Sequence, residues 1–167
     1  MQLPNIFLKI LKSYNVYIFI ILFFEIYYYI KKYKGFKFNI SKNKTMTDDI
    51  PCPYYFMFKI LKVLKKKKFK SFIDLGCGSG RIIDFIDKNF TNKKLVGIEY
   101  FDPQYNYSKK NFKKSKNISI VQSDFTKLNL RENIYDVYFL SAPFKNKNDF
   151  LKFMKKITKI KKIKKKI

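Results

Sequence analysis

The sequence predicts an α/β domain built on a doubly wound, mainly parallel sheet with helices on both faces. Three observations carry that prediction. From Phe69 to Ser141, apolar runs of strand length alternate with segments of helical periodicity. A glycine turn, Phe72-Ile-Asp-Leu-Gly-Cys-Gly-Ser-Gly-Arg81, holds three of the five glycines and joins the first strand to a helix. Acidic residues stand at or just beyond three successive strand ends, at Asp74, Glu99 and Asp124. Ligands of an open parallel sheet bind across the carboxyl ends of its strands, so these acids are expected to share one site.

Composition narrows the function classes. The 167 residues make one domain and an appendage. Lys plus Arg number 37 against 12 Asp plus Glu, a formal charge of +25. Such basicity ordinarily points to nucleic acid or an anionic surface. Here Lys, Asn, Ile, Phe and Tyr are abundant together, as an AT-rich coding sequence would make them, so nucleic acid is not an expected partner. Cys52 and Cys77 are the only cysteines, too few for a disulfide framework and without metal-ligand spacing, so no metal is expected. The chain has no histidine, which excludes a Ser-His-Asp triad, a histidine base and the histidine-bearing zinc motifs.

Taken in order, the chain starts with an apolar run, Tyr14–Ile30, broken by Glu25. As a helix it is about 26 Å long, close to the ~30 Å hydrocarbon core of a bilayer. Glu25 opposes insertion by about 2.5–3.5 kcal/mol at a helix centre and by less near an interface. The run therefore reads as a single-pass membrane anchor. More lysines follow it than precede it, which places the larger domain on the cytoplasmic side. Residues 1–34 form the anchor segment in this reading, 35–47 a polar linker and 48–167 the domain.

Within the domain, prolines at 51 and 53 punctuate the entry, and Tyr55, Phe58, Ile60, Leu61 and Leu64 suggest a short helix. Phe69–Leu75 is the first strand. After the glycines, Ile82, Ile83, Phe85 and Ile86 recur at helical spacing. Glycine suits the turn because a residue without Cβ takes positive φ and lets a ligand approach the backbone. Lys94–Glu99 is a second strand, a helix starts near Pro103, and Ile118–Val121 and Tyr135–Ser141 are the third and fourth strands. Asn148–Ile160 has its apolar residues three or four apart and reads as an amphipathic helix.

Arg81 stands where a dinucleotide fingerprint needs its third glycine, and the lysine-bearing phosphate loop is absent. The pattern Asp-x-Gly-x-Gly-x-Gly, followed by Glu99 at the end of a second strand, instead resembles class I S-adenosylmethionine-dependent methyltransferases. The resemblance covers about Pro51 to Phe144 and implies a Rossmann-like sheet with S-adenosylmethionine as cofactor. It implies that Asp74, Gly76, Cys77, Gly78 and Gly80 form the cofactor turn. Glu99 would accept hydrogen bonds from the ribose hydroxyls, Asp124 one from the adenine amino group, and Phe125 would lie beside the ring.

Ser141-Ala142-Pro143-Phe144 partly resembles the Asp/Asn/Ser-Pro-Pro-Tyr/Phe segment of amino-group methyltransferases, with Ala142 in place of a proline. The resemblance implies that Ser141, Pro143 and Phe144 position the acceptor, with a protein amine favoured. The segment after Phe144 leaves no room for the family's fifth strand and reversed hairpin. A shortened domain or a truncated reading is therefore expected, with the fourth strand at an edge and self-association through it. The alternative is a non-catalytic, membrane-tethered domain that binds cofactor or a partner.

Overall fold

The computed structural model describes residues 17–31, 51–129, 134–141 and 144–164. Among the described residues nine elements follow one another: α1 (Tyr17–Ile30), α2 (Tyr54–Lys65), β1 (Ser71–Leu75), α3 (Arg81–Asn89), β2 (Lys94–Glu99), α4 (Asp102–Phe112), β3 (Ile118–Gln122), β4 (Val137–Phe139) and α5 (Lys147–Lys164). The four strands form one sheet in the order β3-β2-β1-β4, and every pairing is parallel. The predicted fold class is the observed one. Parallel neighbours need crossovers, and α3 and α4 supply those from β1 to β2 and from β2 to β3.

Side-chain alternation along the strands divides the core between two faces. Phe72 and Leu95 point to one side, where they join Met57, Leu61, Ile83, Phe85 and Phe112 from α2, α3 and α4. Ile73, Leu75, Val96 and Ile98 point to the other, against Phe153 and Ile157 of α5. The spacing of Phe153 and Ile157 brings both to the same side of α5, as the amphipathic reading requires. β4 stands at one edge of the sheet, as expected, and β3 at the other.

The N-terminal run corrects the sequence reading. Among the described residues no helix is long and apolar enough to cross a membrane. The 14 residues of α1 extend about 21 Å, short of a bilayer core. The expectation of a single-pass membrane protein with its domain facing the cytoplasm is thereby overturned; residues 14–16 and the 35–47 linker lie outside the described residues.

The physical reason is that one side of the run is used within the domain. Tyr28, 8% exposed, stacks on Tyr54 with ring centroids 4.6 Å apart and meets Phe85 edge-on at 5.5 Å. Phe24 packs against Tyr55 and Phe58. Glu25, which the membrane reading had to treat as a cost, is the polar centre of this contact. Its Oε1 accepts the Tyr54 N–H at 2.8 Å, satisfying a donor at the start of α2, and its Oε2 pairs with Arg81 Nη1 at 2.9 Å.

Both members of that pair are largely removed from water, with side-chain exposures of 6% for Arg81 and 22% for Glu25. Removing one partner of such a pair leaves the other desolvated and uncompensated. Glu25→Leu makes the run more apolar, yet it is expected to lower unfolding stability by about 3 kcal/mol. Urea titration of the full chain measures this; an unchanged or raised stability contradicts the docked arrangement of α1.

Candidate cofactor and acceptor site

The site is built where β1 ends. Asp74, 2% exposed, pairs across the sheet with Gly97 of β2 and Phe139 of β4, so it lies in the central strand near the carboxyl edge. The chain then turns through Gly76, Gly78 and Gly80, whose φ angles are +88°, +53° and +85°. L-residues rarely adopt such angles, so the sequence requirement for glycine here is conformational. At Gly80 space adds a second constraint. A Cβ there would lie 2.5 Å from a ring carbon of Phe112 in α4.

The turn is held from β2. The Gly76 and Cys77 N–H groups both donate to the Ile98 carbonyl at 2.9 Å. The Gly78 N–H donates to Glu99 Oε2 at 2.8 Å. Glu99 Oε1 in turn accepts the N–H groups of Tyr100 and Phe101, each at 2.8 Å, and so fixes the entry to α4. These turn N–H groups are thus used within the protein. A carboxylate has about four acceptor positions. The three donors leave Glu99 Oε2 with one further acceptor position.

The other expected residues gather at the same edge. Glu99 pairs with Gln122 at the end of β3, and Asp124 follows directly. Asp124 Oδ1 accepts the Thr126 N–H and hydroxyl at 2.9 and 2.6 Å, while Oδ2 lies 3.8 Å from Lys127 Nζ. Phe125 is buried, and its ring lies 3.8 Å from where a Gly76 Cβ would be. Phe144 meets Phe125 edge-on at 5.6 Å, which brings the segment after β4 to the glycine turn. Ser141 is exposed at the end of β4, and Pro143 lies outside the described residues. Asp74, the glycine turn, Glu99, Asp124, Phe125, Ser141 and Phe144 therefore share the carboxyl edge of the sheet.

Sequence reasoning missed three contributors: Glu25, Arg81 and Cys52. Arg81 is the first residue of α3, and its Nη1 reaches both Glu25 and the Cys52 carbonyl, the latter at 3.4 Å. The Arg81 guanidinium lies 4.7 Å over the Tyr54 ring. The Cys52 Sγ lies 3.9 Å from the carbonyl oxygen of Pro53. Cys52 and Tyr54 thus meet the start of α3 through Arg81. A cation directly after the last glycine was the available signal for Arg81; Cys52, between two prolines, gave none.

A parallel sheet carrying a glycine turn and a strand-end carboxylate defines an α/β domain for a nucleoside-containing cofactor. The profile of the methyltransferase domain matches residues 73–164. The chain belongs to that family, the S-adenosylmethionine-dependent methyltransferases. It is similar to a protein-lysine N-methyltransferase of Saccharolobus islandicus (strain REY15A), 32% identical over 106 residues, which is 62% of this chain and 64% of the relative. The chain thus matches less than two thirds of that relative's length.

Similar solved structures include a protein-L-isoaspartate O-methyltransferase, 17% identical with a TM-score of 0.49, covering 62% of this chain and 33% of that one. Another is an RNA methyltransferase from Salinibacter ruber in complex with S-adenosyl-L-homocysteine, 23% identical with a TM-score of 0.46, covering 55% and 60%.

Burial pushes the Cys52 thiol above its ordinary value of 9.0. The thiolate is the reactive form, so raising the folded pKa lowers reactivity at neutral pH. Iodoacetamide labelling of Cys52, followed by peptide mass mapping, is expected to be slow at neutral pH and to keep accelerating above pH ~9. A rate that levels off at or below pH ~9 contradicts the desolvated position.

Proposed function

We propose that the chain binds S-adenosylmethionine across the carboxyl ends of β1, β2 and β3 and methylates an amino group of a protein, with lysine as the acceptor. The observation that carries this reading is the joint between Glu99 and the glycine turn, in a chain of this family. The residues present fit the cofactor. Glu99 Oε2 keeps an acceptor position for a ribose hydroxyl, and Phe125 lines the turn with an apolar ring. Asp124 Oδ2, not used by Thr126, is assigned to the adenine amino group. Asp74, buried at the end of the central strand, is assigned to the amino-acid end of the cofactor.

When bound, S-adenosylmethionine supplies an electrophilic methyl group on a sulfonium sulfur. The protein's task is then alignment, because a single displacement gains mostly from proximity and orientation. Ser141 and Phe144 are assigned to the acceptor: the hydroxyl accepts a hydrogen bond from the amine, and the ring packs beside it. An amine that arrives neutral has its lone pair ready for attack and loses its proton to water afterwards. The absence of histidine is compatible with that chemistry.

A protein-lysine acceptor has its support in the curated relative, which is named for that activity, and in the Ser141–Phe144 segment. The test is transfer from methyl-labelled S-adenosylmethionine to cellular protein by the full chain, with amino-acid analysis after hydrolysis. Label is expected in methylated lysine, and Glu99→Ala is expected to reduce it by at least about tenfold, the equivalent of ~1.4 kcal/mol. Label confined to lipid, nucleic acid or carboxyl groups contradicts the acceptor assignment, and no transfer at all contradicts the enzyme reading.

A further inference from the structure

Ten lysines gather at one end of the sheet. Because all strands are parallel, their amino ends share one edge of the sheet, opposite the site. Lys65–Lys68 and Lys70 lie on the path into β1. Lys93 and Lys94 open β2, and Lys113, Lys114 and Lys116 lead into β3. All are exposed except Lys93, which is half-buried with its ammonium over the Phe69 ring. β3, β2 and β1 are sheet neighbours in that order, so the three lysine groups lie side by side. Strands ~4.8 Å apart make this a continuous band about 10 Å wide before the side chains extend it.

Little negative charge answers the band. Among the described residues none of these lysines is in an ion pair. Asp136 on that end accepts the N–H groups of Lys70 and Ser71, and Asp87 accepts the amide of Asn117. The acids Asp74, Glu99, Asp102 and Asp124 stand at the other end, where Lys127 is paired with Asp124.

The bland explanation by helix dipoles falls short. Helix dipoles favour cations in the last turn of a helix, an effect of about 0.3–1 kcal/mol that fades beyond it. Most of these lysines lie past the helix ends, in the connections and at the strand starts.

We infer that this basic end is a docking surface for the phosphate backbone of nucleic acid, bound without sequence preference. The chemistry favours phosphate over protein carboxylate. The connections into β1, β2 and β3 carry lysine and no arginine. Lysine binds phosphate as a point charge, whereas paired recognition of carboxylates is the province of arginine. The exposed band carries no aromatic platform for stacking bases, so neutralising phosphates is the available interaction. Docking there leaves the cofactor edge facing away from the nucleic acid. The inference stands independently of the methyl-transfer reading.

The test is fluorescence anisotropy of the full chain with two labelled single-stranded oligonucleotides of unrelated sequence, across a salt series. Both are expected to bind alike. A slope of log K on log salt near −3 is expected, from on the order of four phosphates at about 0.7 each. Changing Lys65–Lys68 to alanine is expected to weaken binding at least tenfold and to flatten the slope by about 2. Removing the same charge through K145A, K147A, K152A and K155A is expected to cost less than about twofold. Equal losses from the two sets would mean that net charge alone acts, and would overturn the surface. Absence of binding at low salt, or binding to polyglutamate but to neither oligonucleotide, would overturn it as well.

Discussion

The buried carboxylate of Glu99 is the joint on which the rest of the site depends. It stands at the end of β2, 6% exposed, and receives the backbone N–H groups of Gly78, Tyr100 and Phe101. The Gly78 donor is buried, and leaving it without a partner would cost about 1–3 kcal/mol. One side chain thus ties the turn after β1 to the turn after β2. The fit is close: a Cβ on Gly97, two residues earlier, would lie 2.7 Å from the Cys77 sulfur. The carboxylate, the bare Gly97 backbone and the Ile98 carbonyl together fix the position of the glycine turn over β2.

The second constraint comes from the N-terminal helix. Glu25 joins the start of α2 to Arg81, the first residue after the glycine turn. The cofactor turn is therefore held from two sides, by Glu99 through the backbone and by Glu25 through a side chain. Two buried or half-buried carboxylates, far apart in sequence, each receive both a backbone donor and a second element. Cys52 joins this frame through its carbonyl, which accepts from Arg81 Nη1 at 3.4 Å.

Much of this was legible in the sequence because the domain's elements are locally consistent. Lys94–Glu99 reads as a strand from its own residues, and it is one. The glycine turn was legible because positive φ at Gly76, Gly78 and Gly80 selects for glycine directly. Boundaries were looser: the first strand begins at Ser71 rather than Phe69, since Lys70 and Ser71 give their N–H groups to Asp136.

What could not be read were the partners of long-range polar groups. The run Tyr14–Ile30 has nearly the length and hydropathy of a membrane span, and those two properties are local. That Glu25 has a buried arginine waiting, and that Tyr28 has Tyr54 to stack on, depends on contacts across many residues. A single acid within an apolar run marks either a penalty or a docking point, and only its partner distinguishes them. Cys52 was illegible for the same reason, since its carbonyl meets Arg81, 29 residues away in the sequence.

Calorimetric titration of the full chain tests the central claim most directly, comparing S-adenosylhomocysteine with an analogue that lacks both ribose hydroxyls. If the remaining acceptor position of Glu99 receives a ribose hydroxyl, the parent compound binds and the analogue binds at least about tenfold more weakly, a loss of ~1.4 kcal/mol or more. Equal affinity for the two compounds, or no heat of binding with the parent, would contradict the account.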